Sequence, residues 1–145
     1  MTGNKPVIES RFEYRGYPCV VIFQPLGHRC GYVGLPEKNR FYGLDYNEID
    51  VDCHGGLTYS SNHLYDQDDT NTWWIGFDCA HCDDARDYTS LRKYYTDDRS
   101  KSMIDNWEAL DKEYPIPDLH VRDLAYVGEE CKNIIDQLCE EEIDE

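Results

Sequence analysis

Trp73-Trp74-Ile75-Gly76-Phe77-Asp78-Cys79 is the stretch on which the fold turns. In an extended chain Trp73, Ile75 and Phe77 share one face, and Trp74, Gly76 and Asp78 share the other. The run then passes through Ala80 to His81. An earlier segment echoes it: Ile49-Asp50-Val51-Asp52-Cys53-His54-Gly55-Gly56 also carries an apolar stretch into Asp-Cys and then His. Each reads as a strand whose last residues offer a carboxylate, a thiol and an imidazole. Strand ends that deliver polar side chains to one place are how small domains build sites.

Upstream, residues 10–14 read as a first strand and residues 17–23 as a second, joined in a hairpin over Arg15-Gly16. Residues 19–23 are apolar without alternation, which predicts a strand covered on both faces. A Pro/Gly loop over 24–28 leads to a third strand at 30–35, whose glycines imply a bulge or a close backbone approach. Residues 45–48 suit one helical turn before a strand over 49–53. Residues 57–60 resume an extended segment, and 61–72 form a polar surface loop carrying Asp66, Asp68 and Asp69.

The second half is helical. Asp83 or Asp84 is expected to cap a helix over 85–95. A weaker helix over 102–114 stops at Pro115-Ile116-Pro117. Residues 121–139 form the strongest helix, because Leu124, Val127, Cys131, Ile134, Ile135 and Leu138 make one apolar stripe. Residues 136–145 are acidic and are expected to fray. Strands first and helices later predict a single α+β domain over 1–145, its small sheet mostly antiparallel and its last helix packed on the sheet.

The 145-residue length fits one domain that buries roughly two-thirds of its unfolded surface. A hydrophobic content of 40% with 13% aromatic residues excludes a disordered chain. The net charge of −16 is uneven: residues 1–72 carry −4 and residues 73–145 carry −12. No basic stripe exists to release counterions, so direct nucleic-acid binding is not expected. The acidity is open to three readings: a plain soluble surface, mimicry of nucleic acid toward a basic partner, and cation binding. No run is long enough for a membrane span. Met1-Thr2-Gly3-Asn4-Lys5-Pro6 lacks an apolar signal region. With seven cysteines, an odd count, the expectation is a reduced, cytoplasmic setting with most thiols acting as small apolar residues.

Four groups of residues could carry chemistry. Asp52, His54, Asp78, His81 and Asp84 have the donor types of a divalent-metal site, if the two strands are neighbours. A bound metal could lower the pKa of a water for hydrolysis. Without metal, the same carboxylates orient turns and hold the imidazoles. Cys79 and Cys82 form a lone Cys-x-x-Cys, a weak zinc signal without a second pair. His28 and Arg29, in a Gly-flanked loop, could clamp a phosphate or carboxylate, or Arg29 could pair with a surface carboxylate. Among the many aromatics, Tyr59 and Trp74 flank the His/Asp residues in sequence and are the expected walls of a site.

Four motifs together resemble a family of small uncharacterised proteins encoded by bacteriophages and integrated elements. They are His28-Arg29-Cys30-Gly31-Tyr32-Val33-Gly34, His54-Gly55-Gly56-Leu57-Thr58-Tyr59-Ser60, Trp73 to His81, and Arg122-Asp123-Leu124-Ala125-Tyr126-Val127 with Glu130-Cys131. The family pattern implies that His54, Asp78, His81 and Asp84 form the working set. This chain has Cys82-Asp83 where Ala-Gly is usual, and Cys53 where relatives can carry an apolar residue; both departures weaken thiol-based readings. The resemblance implies a phage-type accessory protein acting in the host cytoplasm. Its expected role is to bind or act on a small nucleotide-like ligand through a His/Asp pocket, counteracting host defence. His54 and His81 would serve as general acid and base or as ligands, with Asp78 fixing a tautomer. The alternatives are an acidic nucleic-acid mimic that inhibits a basic host protein, and a metal-dependent hydrolase.

Overall fold

A strand that is apolar at nearly every position needs cover on both faces, and the sheet is assembled around that need. The computed structural model describes residues 5–64 and 71–143. β1 (Val7–Tyr14) and β2 (Tyr17–Phe23) form a hairpin across Arg15-Gly16, both at positive φ. With β3 (Arg29–Pro36), β4 (Tyr59–Ser61) and β5 (Thr72–Asp78) they make an antiparallel sheet in the order β1-β2-β3-β5-β4. Cys19 and Val21 of β2 join the main core, while Val20 and Ile22 pack with Leu64 and Trp74 in a second cluster. Trp73, Ile75 and Phe77 belong to the main core, and Trp74 to the second, as the alternation predicts.

Three helices follow: α1 (Tyr88–Tyr94), α2 (Asp98–Glu113) and α3 (Leu124–Ile143). The architecture is α+β, with α3 packed on the sheet. Val127, Cys131, Ile134, Ile135 and Leu138 are at most 1% exposed. Burying each such Ile, Leu or Val contributes roughly 1.5–3 kcal/mol, far more than helix propensity supplies. Leu124, the first residue of the predicted stripe, is 37% exposed. Gly31 permits the close contact, since a Cβ there would lie 2.6 Å from Phe77 Cζ and 2.9 Å from Cys131 Sγ. No described helix is long and apolar enough to cross a membrane.

Several boundaries move. The stretch expected to fray from residue 136 is helical to Ile143, held by the buried Leu138 and Cys139; residues 144–145 lie outside the described residues. The caps of α1 and α2 are Asp87 and Asp97, whose side chains accept from the Ser90 and Ser100 amides. Asp84 caps no helix because it lies in β6 (Asp84–Ala85), which pairs in parallel with β7 (His120–Val121). A 3-10 turn occupies Tyr46–Glu48 as expected. Asp66, Asp68 and Asp69 lie outside the described residues.

The expected strand over 49–53 does not form. Ile49 and Val51 do point into the main core. The neighbouring backbone, however, bonds to side chains of α3 instead of to a strand. Gln137 accepts from the Asp52 amide and donates to the Asp52 carbonyl, both at 2.7 Å. Asn133 donates to the same carbonyl, and Glu130 accepts from the His54 amide. A polar edge of α3 thus answers the backbone groups that a sheet would otherwise satisfy. Gln137→Ala is expected to cost about 1 kcal/mol. Hydrogen exchange should show the Asp52 amide losing protection while the β2–β3 amides keep theirs.

Candidate functional site

The site begins where β5 ends. Asp78 accepts from the Ala80 amide and from the Thr58 hydroxyl, which fixes the turn out of the strand. The chain then folds back, with the Asp84 amide donating to the His81 carbonyl, and enters β6. The β6–β7 pairing sets Asp84 opposite His120, so that Arg122, which follows β7, meets Asp84. Arg122 Nε donates to Asp84 Oδ1 at 2.8 Å, and Nη2 lies 3.3 Å from Asp83 Oδ2.

The other oxygen of Asp84 lies 2.8 Å from His54 Nε2 and accepts the His81 amide at 3.0 Å. The Asp84 side chain is wholly shielded from solvent. Burial works to raise its carboxyl, but hydrogen bonds from Arg122, His54 and the His81 amide outweigh that and hold it below its ordinary value. Asp84 is therefore ionised at neutral pH. An ionised carboxylate requires a proton on His54 Nε2, so in the neutral imidazole Nδ1 accepts. Its partner at 2.8 Å is the Tyr126 hydroxyl, which then donates. Burial, and then the nearby charge of Glu130, raises the Tyr126 hydroxyl and keeps it protonated. Arg122 also lies over the Tyr126 ring, 5.1 Å from its centroid.

His81 sits beside this network, its ring centroid 5.6 Å from that of His54. Its Nε2 is 3.4 Å from Asp78 Oδ1 yet is buried without a hydrogen bond. What covers it is Gly55, at φ +69°, where a Cβ would lie 2.0 Å from Nε2. The His-Gly-Gly sequence thus supplies an imidazole and the gap that admits a second one.

His81 and Asp84 also line a cleft of about 520 Å³. His28, Cys82, Arg86 and Tyr88 add polar groups, and Pro115, Ile116 and Leu119 add an apolar wall. The His28 imidazole is pushed below its ordinary value by burial and by the charge of Arg86, against the opposing pull of Asp84 and Asp78. Tyr88 donates to Asp111, another lining residue.

Of the predicted residues, His54, His81 and Asp84 come together, with Asp78 at their edge and His28 in the cleft. The others go elsewhere. Asp52 is exposed and gives only its backbone to α3. Arg29 is 4% exposed and is engaged by Glu9, Asp87 and Ser90, so it clamps protein groups and not a ligand. Trp74, 3% exposed, packs with Val20, Ile22 and Leu64, and is no site wall. Tyr59 stacks edge-on against Tyr32 in that same cluster, and its hydroxyl donates to the His63 carbonyl. Cys79 is buried and its thiol raised by burial, whereas Cys82 is exposed. Arg86 is not among the sequence candidates, and Arg122 and Tyr126 stand there only within the fourth motif, with no role of their own. The spacing of Arg122 and Tyr126, four apart at the start of a helix, was the available signal.

The metal donors also regroup. Among the described residues, His54, Asp83 and Asp84 offer ligand atoms within 4.8 Å of one another, a set that could hold a divalent ion. Arg122 already hydrogen-bonds to both carboxylates, so a cation there must displace a guanidinium. The wider set with Asp52, Asp78 and His81 does not assemble around one point. Compared with protein families, curated proteins and solved structures, the chain matches none of them.

Asp84→Asn removes the charge that holds Arg122 and His54 and is expected to cost about 3 kcal/mol at pH 7. The folded carboxyl titrates below its ordinary 3.8, so its contribution is full above that pH and is lost as pH falls through the lower folded value. Denaturation curves of both proteins should therefore converge on acidification below that range. Gly55→Ala should displace the His81 ring, which the His81 side-chain NMR shifts would report without loss of the β-sheet signature.

Proposed function

We propose that this protein binds a small nucleotide-like ligand in the cleft, with His81 as the side chain that meets it. The observation that carries this reading is that His81 and Asp84 belong both to the cleft lining and to the hydrogen-bonded His54–Asp84–Arg122 network. The cleft volume lies within the roughly 300–1,000 Å³ of small-molecule sites. His54 is nearly enclosed and already bonded at both ring nitrogens, so it supports the site from behind. The His81 ring lines the cleft, and because its Nε2 is buried under Gly55, acid–base work on a ligand would fall to Nδ1. The resemblance to phage-encoded proteins favours a nucleotide-like molecule of host defence as the ligand and a role in counteracting that defence.

The −12 charge of residues 73–145 favours a second reading, an acidic inhibitor that occupies a basic groove on a host protein. The two readings separate by titration calorimetry of the full chain with nucleosides and nucleoside monophosphates at two salt concentrations. A cleft binder should take up at least one of these ligands and lose roughly tenfold in affinity or more in His81→Ala. Absence of binding by every nucleoside and nucleotide tested, with salt-sensitive capture of a basic protein that ignores His81→Ala, would overturn the cleft reading. Repeating the titration with a chelator, then with Mn or Zn, tests the metal-dependent hydrolase: its binding or turnover should vanish on chelation.

A further inference from the structure

In a chain with 14 lysines and arginines against 30 carboxylates, an arginine with no carboxylate partner needs a cause. Arg15 pairs with Asp136, Arg29 with Glu9 and Asp87, Arg92 with Asp105 and Glu108, and Arg122 with Asp83 and Asp84. Among the described residues, Arg86 forms no ion pair with a carboxylate. It is nevertheless held in place. Its Nε donates to the Leu26 carbonyl at 2.9 Å, and its guanidinium lies 4.7 Å from the centroid of Trp107. The Tyr88 hydroxyl also feels the Arg86 charge, and a carbonyl, a ring face and a neutral phenol hold a guanidinium without neutralising it.

The position of Arg86 gives that charge a use. Arg86 lines the cleft together with His28 and His81. The acid in the lining besides Asp84 is Asp111, which is engaged by the Tyr88 hydroxyl, and Asp84 itself is engaged by Arg122 and His54. The same cleft has an apolar wall in Pro115, Ile116 and Leu119, and Ile116 is largely exposed. The lining therefore holds groups suited to an anion together with groups suited to a flat apolar body.

We infer that Arg86, with His28 beside it, anchors a phosphate monoester on the ligand, while Pro115, Ile116 and Leu119 take the ligand's ring. This rests on the cleft reading and narrows it to phosphorylated ligands. A guanidinium presents a fork of donors matched to phosphate oxygens, and the imidazole adds a donor from a second direction.

The test is calorimetry on the full chain with a nucleoside, its 5′-monophosphate, its 5′-carboxylate analogue and inorganic phosphate. The monophosphate is expected to bind roughly tenfold or more tightly than the nucleoside. Arg86→Gln should close most of that gap, weakening the monophosphate more than the nucleoside, and His28→Gln should narrow it. Arg86→Lys should retain part of it, which separates loss of charge from loss of packing against Trp107. Equal affinity for nucleoside and monophosphate in the unmodified protein, or a gap that survives both Arg86→Gln and His28→Gln, would overturn the anchor while leaving the cleft intact. A carboxylate analogue that binds as tightly as the monophosphate would overturn the choice of phosphate. Absence of binding by all four probes would overturn the cleft reading and the anchor with it.

Discussion

The docking of α3 on the sheet is the contact on which the remainder depends. One stripe of the helix is apolar and closes the core over β2, β3 and β5. An adjacent edge carries Tyr126, Glu130, Asn133 and Gln137, which hold residues 52–54 through their backbone and through the His54 ring. The same helix therefore builds the interior and positions the His54 imidazole. A shift of α3 along the sheet would move both together, so the register set by the apolar stripe is also the register of the site.

At the N-terminal end of that helix a buried carboxylate organises groups from distant parts of the chain. Removing Asp84 from water is costly unless each oxygen is answered by a donor. Arg122, His54 and the His81 amide provide those answers. Each comes from a different segment, so satisfying one charge closes the 54 loop, the turn after β5 and the start of α3 onto one another. The short β6–β7 pair is what brings these segments within reach.

What could be read from the sequence follows pattern length. β2, β5 and the stripe of α3 have enough residues for period two or period 3.6 to stand out, and they formed where expected. β6 and β7 have two residues each and leave no periodic trace. Residues 49–53 showed correct alternation, but their hydrogen-bond partners are side chains on a helix, which alternation cannot report. The echo between the two Asp-Cys-His segments did point to His54 and His81. It misled over Asp52, because a segment outside the sheet need not send residues i and i+2 to one place. Tyr59 and Trp74 are near the cluster in sequence but lie in the second core, away from α3. Sequence also gave no means of telling Arg29 from Arg86. One is surrounded by carboxylates and the other is not, and only tertiary structure assigns those neighbours.

The exposed thiol of Cys82 has a practical consequence. Of the seven cysteines, it is the exposed one; Cys53 is half-buried and its thiol is pushed up to about 12, chiefly by burial. A maleimide reagent should therefore label this chain at essentially one place, on the lip of the cavity next to His81. A fluorophore attached there would report on the surroundings of that cavity, and unprotected stocks would be prone to covalent dimers through that same sulfur on standing in air.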